Sequence, residues 1–136
     1  MGAKSFKDLI VWQKSYALSM KIQRVTETFP SEERYRLVDQ MLRASSSIPM
    51  NIAEGFARWS PKDQANFYAI AKSSADELKV QLMRSRDLGY CGGAAELLGL
   101  ADEVCAMLYL LRQKVLARGP ARSRLRCPSP SGGEGG

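Results

Sequence analysis

Apolar residues recur through the first part of the chain at helical spacing. Between Phe6 and Phe29 there is neither glycine nor proline, and Val11, Leu18, Ile22, Val25 and Phe29 fall on one face of a helix. Pro30 ends this first helix, and Ser31 followed by Glu32 and Glu33 reads as an N-cap with carboxylates set against the positive end of a second helix. The buried stripe of that helix is Val38, Met41, Ser45, Ile48 and Ile52. Pro49 lies inside it, and its missing N–H and its ring predict a kink around Ser45 and Ser46, while Gly55 loosens the helix end. Ser60-Pro61-Lys62-Asp63 then supplies an N-cap serine, a proline at the first helical position and a carboxylate at the third. The third helix carries Phe67, Ile70, Ala71, Ser74, Leu78 and Leu82 and ends near Gly89, before a Tyr90-Cys91-Gly92-Gly93 turn. The fourth starts about Ala94, with Leu97, Ala101, Val104, Leu108, Leu111 and Val115 toward the core. A second apolar row, Leu98, Cys105, Tyr109 and Leu116, marks it for burial on more than one side.

Four helices joined by short connections pack antiparallel in chain order, so the pattern predicts an all-α, up-and-down four-helix bundle with a kinked second helix over residues 1–117. Residues 118–136, RGPARSRLRCPSPSGGEGG, are rich in proline, glycine, serine and arginine and read as a flexible basic tail. A length of 136 residues suits one such domain without metal or disulfide staples. The N-terminus lacks the apolar run of a signal peptide, and no stretch is apolar for long enough to span a membrane. Cys91, Cys105 and Cys127 are odd in number with no C-x-x-C spacing, which fits neither a disulfide framework nor a zinc site and points to the cytoplasm.

Histidine is absent altogether, which removes the commonest general base, the Ser-His and Cys-His pairs, and the Glu-x-x-His motif of di-metal bundles. No G-x-x-x-x-G-K-[ST] loop occurs. The carboxylate pairs Asp76-Glu77 and Asp102-Glu103 are adjacent in sequence, so on a helix their members point in different directions. No enzyme activity, cofactor or metal is expected.

Net charge is +6, of which the tail supplies half: Arg118, Arg122, Arg124 and Arg126 stand there against Glu134 alone. The candidate phosphate contacts in the body are Arg36, Arg43, Arg58 and Lys62. Arg36, Gln40, Arg43, Ser47 and Glu54 lie opposite the apolar stripe of the second helix, with Asn51 at its edge. That row is either a solvated face or a contact surface, where small serines admit a partner's backbone and Arg43 offers a planar fork of donors. On the first helix Leu9, Trp12, Tyr16 and Met20 make a second apolar row away from the core stripe. It packs on its own chain or joins subunits; self-association with Trp12 as anchor is the favoured reading.

The segments Phe6-Lys7-Asp8-Leu9-Ile10-Val11-Trp12-Gln13-Lys14, Gln40 to Arg43, Ser47-Ile48-Pro49-Met50-Asn51-Ile52-Ala53-Glu54-Gly55 and Ala71-Lys72-Ser73-Ser74-Ala75-Asp76-Glu77-Leu78 carry a resemblance. In this order they resemble the bacterial "four helix bundle protein" family, whose members include proteins encoded in intervening sequences of large-subunit ribosomal RNA genes. The family is similar to the accessory variability proteins of diversity-generating retroelements. The resemblance implies a ring-like homo-oligomer, often a homopentamer, and retroelement relatives that bind nucleic acid and a reverse transcriptase through a basic surface. Where the family usually shows two consecutive arginines this chain has Leu42-Arg43, so one candidate phosphate contact is missing. The expected function is a non-enzymatic homo-oligomeric accessory protein that binds RNA or DNA through backbone contacts, with a reverse transcriptase or another protein as a further candidate partner. The alternative is a protein-interaction scaffold docking a partner on the second-helix row.

Overall fold

A computed structural model describes the backbone of residues 2–126 and the side-chain surroundings through Ala117. Four helices, α1 (Ile10–Thr26), α2 (Asp39–Phe56), α3 (Pro61–Asp87) and α4 (Ala94–Arg126), make an all-α bundle with no strand among the described residues. α1 packs on α2 and α4, and α3 on α2 and α4, so each helix packs on its neighbours in sequence and α4 closes the bundle against α1. No described helix is long and apolar enough to cross a membrane.

The stripes read from periodicity converge on one core that includes Val11, Leu18, Ile22, Met41, Ile48, Ile52, Leu78, Leu82, Val104 and Leu108. Full burial of such side chains stabilises by about 1.5–3 kcal/mol each. Two of the buried polar residues are satisfied by their own helix: Ser15 Oγ donates to Trp12 O at 2.9 Å and Thr26 Oγ1 to Ile22 O at 2.9 Å.

The first helix is shorter than its glycine- and proline-free run. A 3₁₀ turn over Phe6–Asp8 precedes it, closed by a capping box in which Ser5 Oγ accepts from Lys7 N and the Asp8 carboxylate accepts from Ser5 N. Leu9 is extended, and α1 begins after it. The expected N-cap at Ser31 is not formed either. Ser31–Glu33 is a 3₁₀ turn and Arg34–Val38 a π-helical segment, with regular α-helix only from Asp39. The cause lies in Glu33: its side chain is buried, where it accepts from Tyr90 Oη at 2.9 Å and pairs with Arg36 at 3.6 Å. The α1–α2 connection is thereby tied to the α3–α4 turn, and the backbone departs from α geometry to place that carboxylate.

The backbone of α2 stays helical through the buried Pro49. Gly55, the penultimate residue of α2, is buried, and a Cβ built on it would lie 2.8 Å from Tyr68 Cε1 and 3.0 Å from Phe67 Cβ. It permits close approach of α3, whose core face consists of small residues, Ala65, Ala71 and Ala75, with Tyr68, Leu78 and Leu82. The α3 stripe read from sequence was rotated in its first half: Phe67 is half-buried and Ile70 exposed.

Ser60 caps α3 as expected, its Oγ accepting from Asp63 N at 3.0 Å behind Pro61. Ser60→Ala should lower the unfolding free energy by about 1 kcal/mol, read from the midpoint of a urea transition at unchanged slope. At the other end Gly89 is left-handed (φ 82°), with Gly89 N donating to Arg86 O and Tyr90 N to Ser85 O, a Schellman closure.

α4 is helical to Arg126, past Ala117 where the tail was expected to begin. The remainder of the predicted tail, from Cys127, lies outside the described residues.

Candidate functional site

The outer faces of the bundle sort the candidate residues into three groups. On α2 the polar row is largely engaged within the chain. Asn51 Nδ2 donates to Ser47 O at 2.8 Å and to Ser47 Oγ at 2.9 Å, and Ser47 Oγ lies 2.8 Å from Ser74 Oγ across the α2–α3 seam. Glu54 is paired with Arg58 at 2.6 Å. Gln40 is exposed, as is Met50, which sits 67% exposed in the middle of the outward face.

The four candidate phosphate contacts do not form one patch. Arg36 and Arg43 lie toward the end of the bundle where α1 finishes, Arg58 and Lys62 toward the opposite end, roughly 20–30 Å away at 1.5 Å per helical residue. Arg36 pairs with Glu33, Arg43 with Asp39 at 2.6 Å and Arg58 with Glu54. The Arg58 guanidinium also lies over the Phe67 ring, 4.7 Å from its centroid. Only Lys62 has no ion pair among the described residues. The Arg43 pair, more than three-quarters exposed on the arginine side, is worth at most about 1 kcal/mol and leaves its cation available to a competing anion.

The apolar row of α1 is divided. Leu9 and Trp12 are half-buried against the core, and the Trp12 ring meets Phe6 edge-on at 5.0 Å and stacks on Tyr16 at 5.1 Å. Tyr16 (48%) and Met20 (36%) remain exposed. The second row of α4 divides likewise: Cys105 is buried and Leu98 half-buried, whereas Tyr109 (54%) and Leu116 are exposed. Leu110 is exposed too, and with Leu9, Ile10, Val11, Met107, Leu111 and Lys114 it lines a groove of about 260 Å³ between α1 and α4. The exposure of Leu110 and Ile10 was not anticipated, because periodicity gives the faces of each helix but not the splay between two of them.

A fourth constellation, between α3 and α4, is structural. Asp76 accepts from Lys72 Nζ at 2.9 Å and from the Cys105 thiol at 3.4 Å, and Lys79 bridges Asp76 to Asp102. Partial burial pushes the Asp76 carboxyl up, but hydrogen bonds from Lys72, Cys105 and Lys79 outweigh it and hold it below the usual carboxylate range. Burial first, and then the Asp76 charge, push the Cys105 thiol up to about 11. A neutral thiol is a poor nucleophile. In a Cys127→Ser background, labelling of Cys105 by a thiol reagent at pH 8 should therefore be far slower in the folded than in the urea-unfolded protein. Since the folded state holds this proton more tightly, its contribution to stability is full below about pH 9 and is lost as pH rises through about 11. No three histidine, cysteine, aspartate or glutamate side chains among the described residues are grouped to hold a metal ion.

Comparison with known proteins bears on the whole bundle. The sequence model of a family described as 23S rRNA-intervening sequence protein matches residues 7–110. A solved structure described as a protein with unknown function from the S23 ribosomal protein family of Bacteroides thetaiotaomicron VPI-5482 is similar, with a TM-score of 0.71 at 23% identity. The likeness covers 76% of this chain and 98% of that one, and at such identity it shows the fold alone. No curated protein matches the chain.

Proposed function

This chain belongs to the 23S rRNA-intervening sequence protein family, and we propose that it is a non-catalytic, cytoplasmic accessory protein that self-associates and holds RNA or DNA through phosphate contacts. The observation that carries this reading is a surplus of cations that the fold leaves unneutralised. Basic residues exceed acidic ones by six. Lys7, Lys21, Arg24, Lys62 and Lys114 are exposed and make no ion pair among the described residues. Such cations gain by displacing the counterions condensed on a phosphate backbone, an interaction that needs no base-specific geometry.

Self-association rests on the apolar residues the subunit leaves uncovered, Tyr16 and Met20 on α1 and Tyr109, Leu110 and Leu116 on α4. A ring, often of five subunits in the family this chain resembles, would cover such faces by repetition, since each subunit presents one face to each neighbour.

Filter binding at low salt with a structured RNA and a duplex DNA tests the nucleic-acid reading. Retention of at least one is expected, and retention of neither ends it. The scaffold reading draws on exposed Met50, an apolar side chain between Arg43 and Glu54 on the outward face of α2. It is separated by pull-down with and without nuclease: a nucleic-acid accessory protein loses its bound proteins, a reverse transcriptase among the candidates, when nucleic acid is destroyed, and a scaffold keeps them.

A further inference from the structure

We propose that nucleic acid is held at one end of the bundle, where α1 and α3 begin and α4 departs, and not along the outer face of α2; the inference rests on the nucleic-acid reading above. Three pieces of geometry define this end. The turn carrying Lys7 packs on α1 and α2. Lys62 is the second residue of α3, directly after the α2–α3 connection that holds Arg58. Lys114 lines the groove beside Leu9, Ile10 and Val11.

Charge is strongly unequal between the two ends. At this one stand Lys4, Lys7, Arg58, Lys62, Arg112 and Lys114 against Asp8, Glu54 and Asp63. Glu54 and Arg58 pair with each other and Asp8 is engaged in the capping box, which leaves Lys4, Lys7, Lys62, Arg112 and Lys114 against Asp63. The opposite end has Lys21, Arg24, Arg34, Arg36, Arg43, Arg84 and Arg86 against Glu27, Glu32, Glu33, Asp39, Asp87 and Glu96, which is close to balance. Arg36, Arg43 and Arg86 each pair there, or one turn in from it, with a carboxylate close in sequence. The backbone of α4 then continues from the basic end to Arg126, through a stretch whose sequence adds Arg118, Arg122 and Arg124 and no acid.

Helix dipoles do not produce this polarity. The N-termini of α1 and α3 at this end face the C-terminus of α2, while α4 runs on to Arg126, so the terminal dipoles largely offset one another and the field comes chiefly from side chains. A polyanion approaching the bundle meets attraction at one end and a nearly neutral surface at the other, which orients the encounter before any contact forms. Cyclic assembly about an axis parallel to the helices would set every subunit's basic end at the same height, giving one positively charged rim.

Two triple variants that remove the same number of positive charges test the assignment. Lys7→Gln/Lys62→Gln/Lys114→Gln strips the proposed contact, whereas Arg24→Gln/Arg36→Gln/Arg43→Gln strips exposed cations from elsewhere. Circular dichroism establishes that both keep the helical fold. Fluorescence anisotropy with a labelled RNA hairpin and a labelled DNA duplex then gives affinity as a function of salt. The first variant should bind about 30-fold more weakly at moderate salt and lose about three units of the slope of log affinity against log salt, one for each phosphate contact removed. The second should stay within about threefold of the wild type, the effect of general charge alone. If the first variant binds as the wild type does, or the second loses as much as the first, the end-on assignment is overturned while nucleic-acid binding stands. If the wild type binds neither probe at low salt, the nucleic-acid reading falls and takes the inference with it.

Discussion

Gly55→Val is expected to lower the unfolding free energy by about 3 kcal/mol, because overpacking a core that cannot give costs about 1–3 kcal/mol and here three carbons are added. The first of those carbons would fall 2.8 Å from Tyr68 and 3.0 Å from the Cβ of Phe67. Tyr68 is buried at 2% exposure and Phe67 Cβ is fixed by the α3 backbone, so neither can retreat without moving the helix. The milder Gly55→Ala decides between two opposite expectations. In a free helix it would stabilise by about 1 kcal/mol through propensity alone. Across this seam it should destabilise, and a thermal melt with a midpoint above that of the wild type would show that α2 and α3 do not approach as described.

The second large effect concerns assembly. Trp12 is no longer the cleanest probe, since its ring packs against its own core as well as on Phe6 and Tyr16. Trp12→Ala should weaken both the monomer and the assembly. Tyr16→Glu/Met20→Glu alters side chains that the subunit leaves exposed, so the fold should tolerate it. Placing carboxylates in an apolar contact should cost the assembly at least about 2 kcal/mol, a loss of about 30-fold in association constant. Light scattering should then show smaller species at a concentration where the wild type is assembled, with the far-ultraviolet helical signal unchanged. A wild type that runs as a monomer at high concentration would rule out the interface.

The helices were legible in the sequence because their core faces repeat apolar residues at helical spacing, and because Ser60-Pro61 and Gly89 punctuate α3 with chemistry that has few other uses. What was not legible depended on partners distant in sequence. Ser31 has the residue type of a cap, yet the segment after it follows the demand of buried Glu33 for Tyr90, fifty-seven positions away. Gly55 reads only as a loose helix end until Tyr68 is placed against it. Arg36, Arg43, Arg58 and Lys62 could be named as basic candidates, but only the length of α2 shows that they belong to opposite ends, and only the ion pairs show which are already engaged. Ser47 and Asn51 likewise read as free polar groups until the α2–α3 seam brings Ser74 to them.

Nucleic-acid binding through phosphates is tested most directly by the affinity of the wild-type protein for RNA and DNA across a salt series. Neutralisation of several phosphates predicts a straight fall of log affinity against log salt with a slope of about −0.9 per phosphate contacted on duplex DNA and about −0.7 on single strands. Six contacts would weaken binding about a thousandfold between about 50 and 200 mM salt. Affinity that stays constant across that range, or no binding at its lower end, would contradict phosphate binding by this protein.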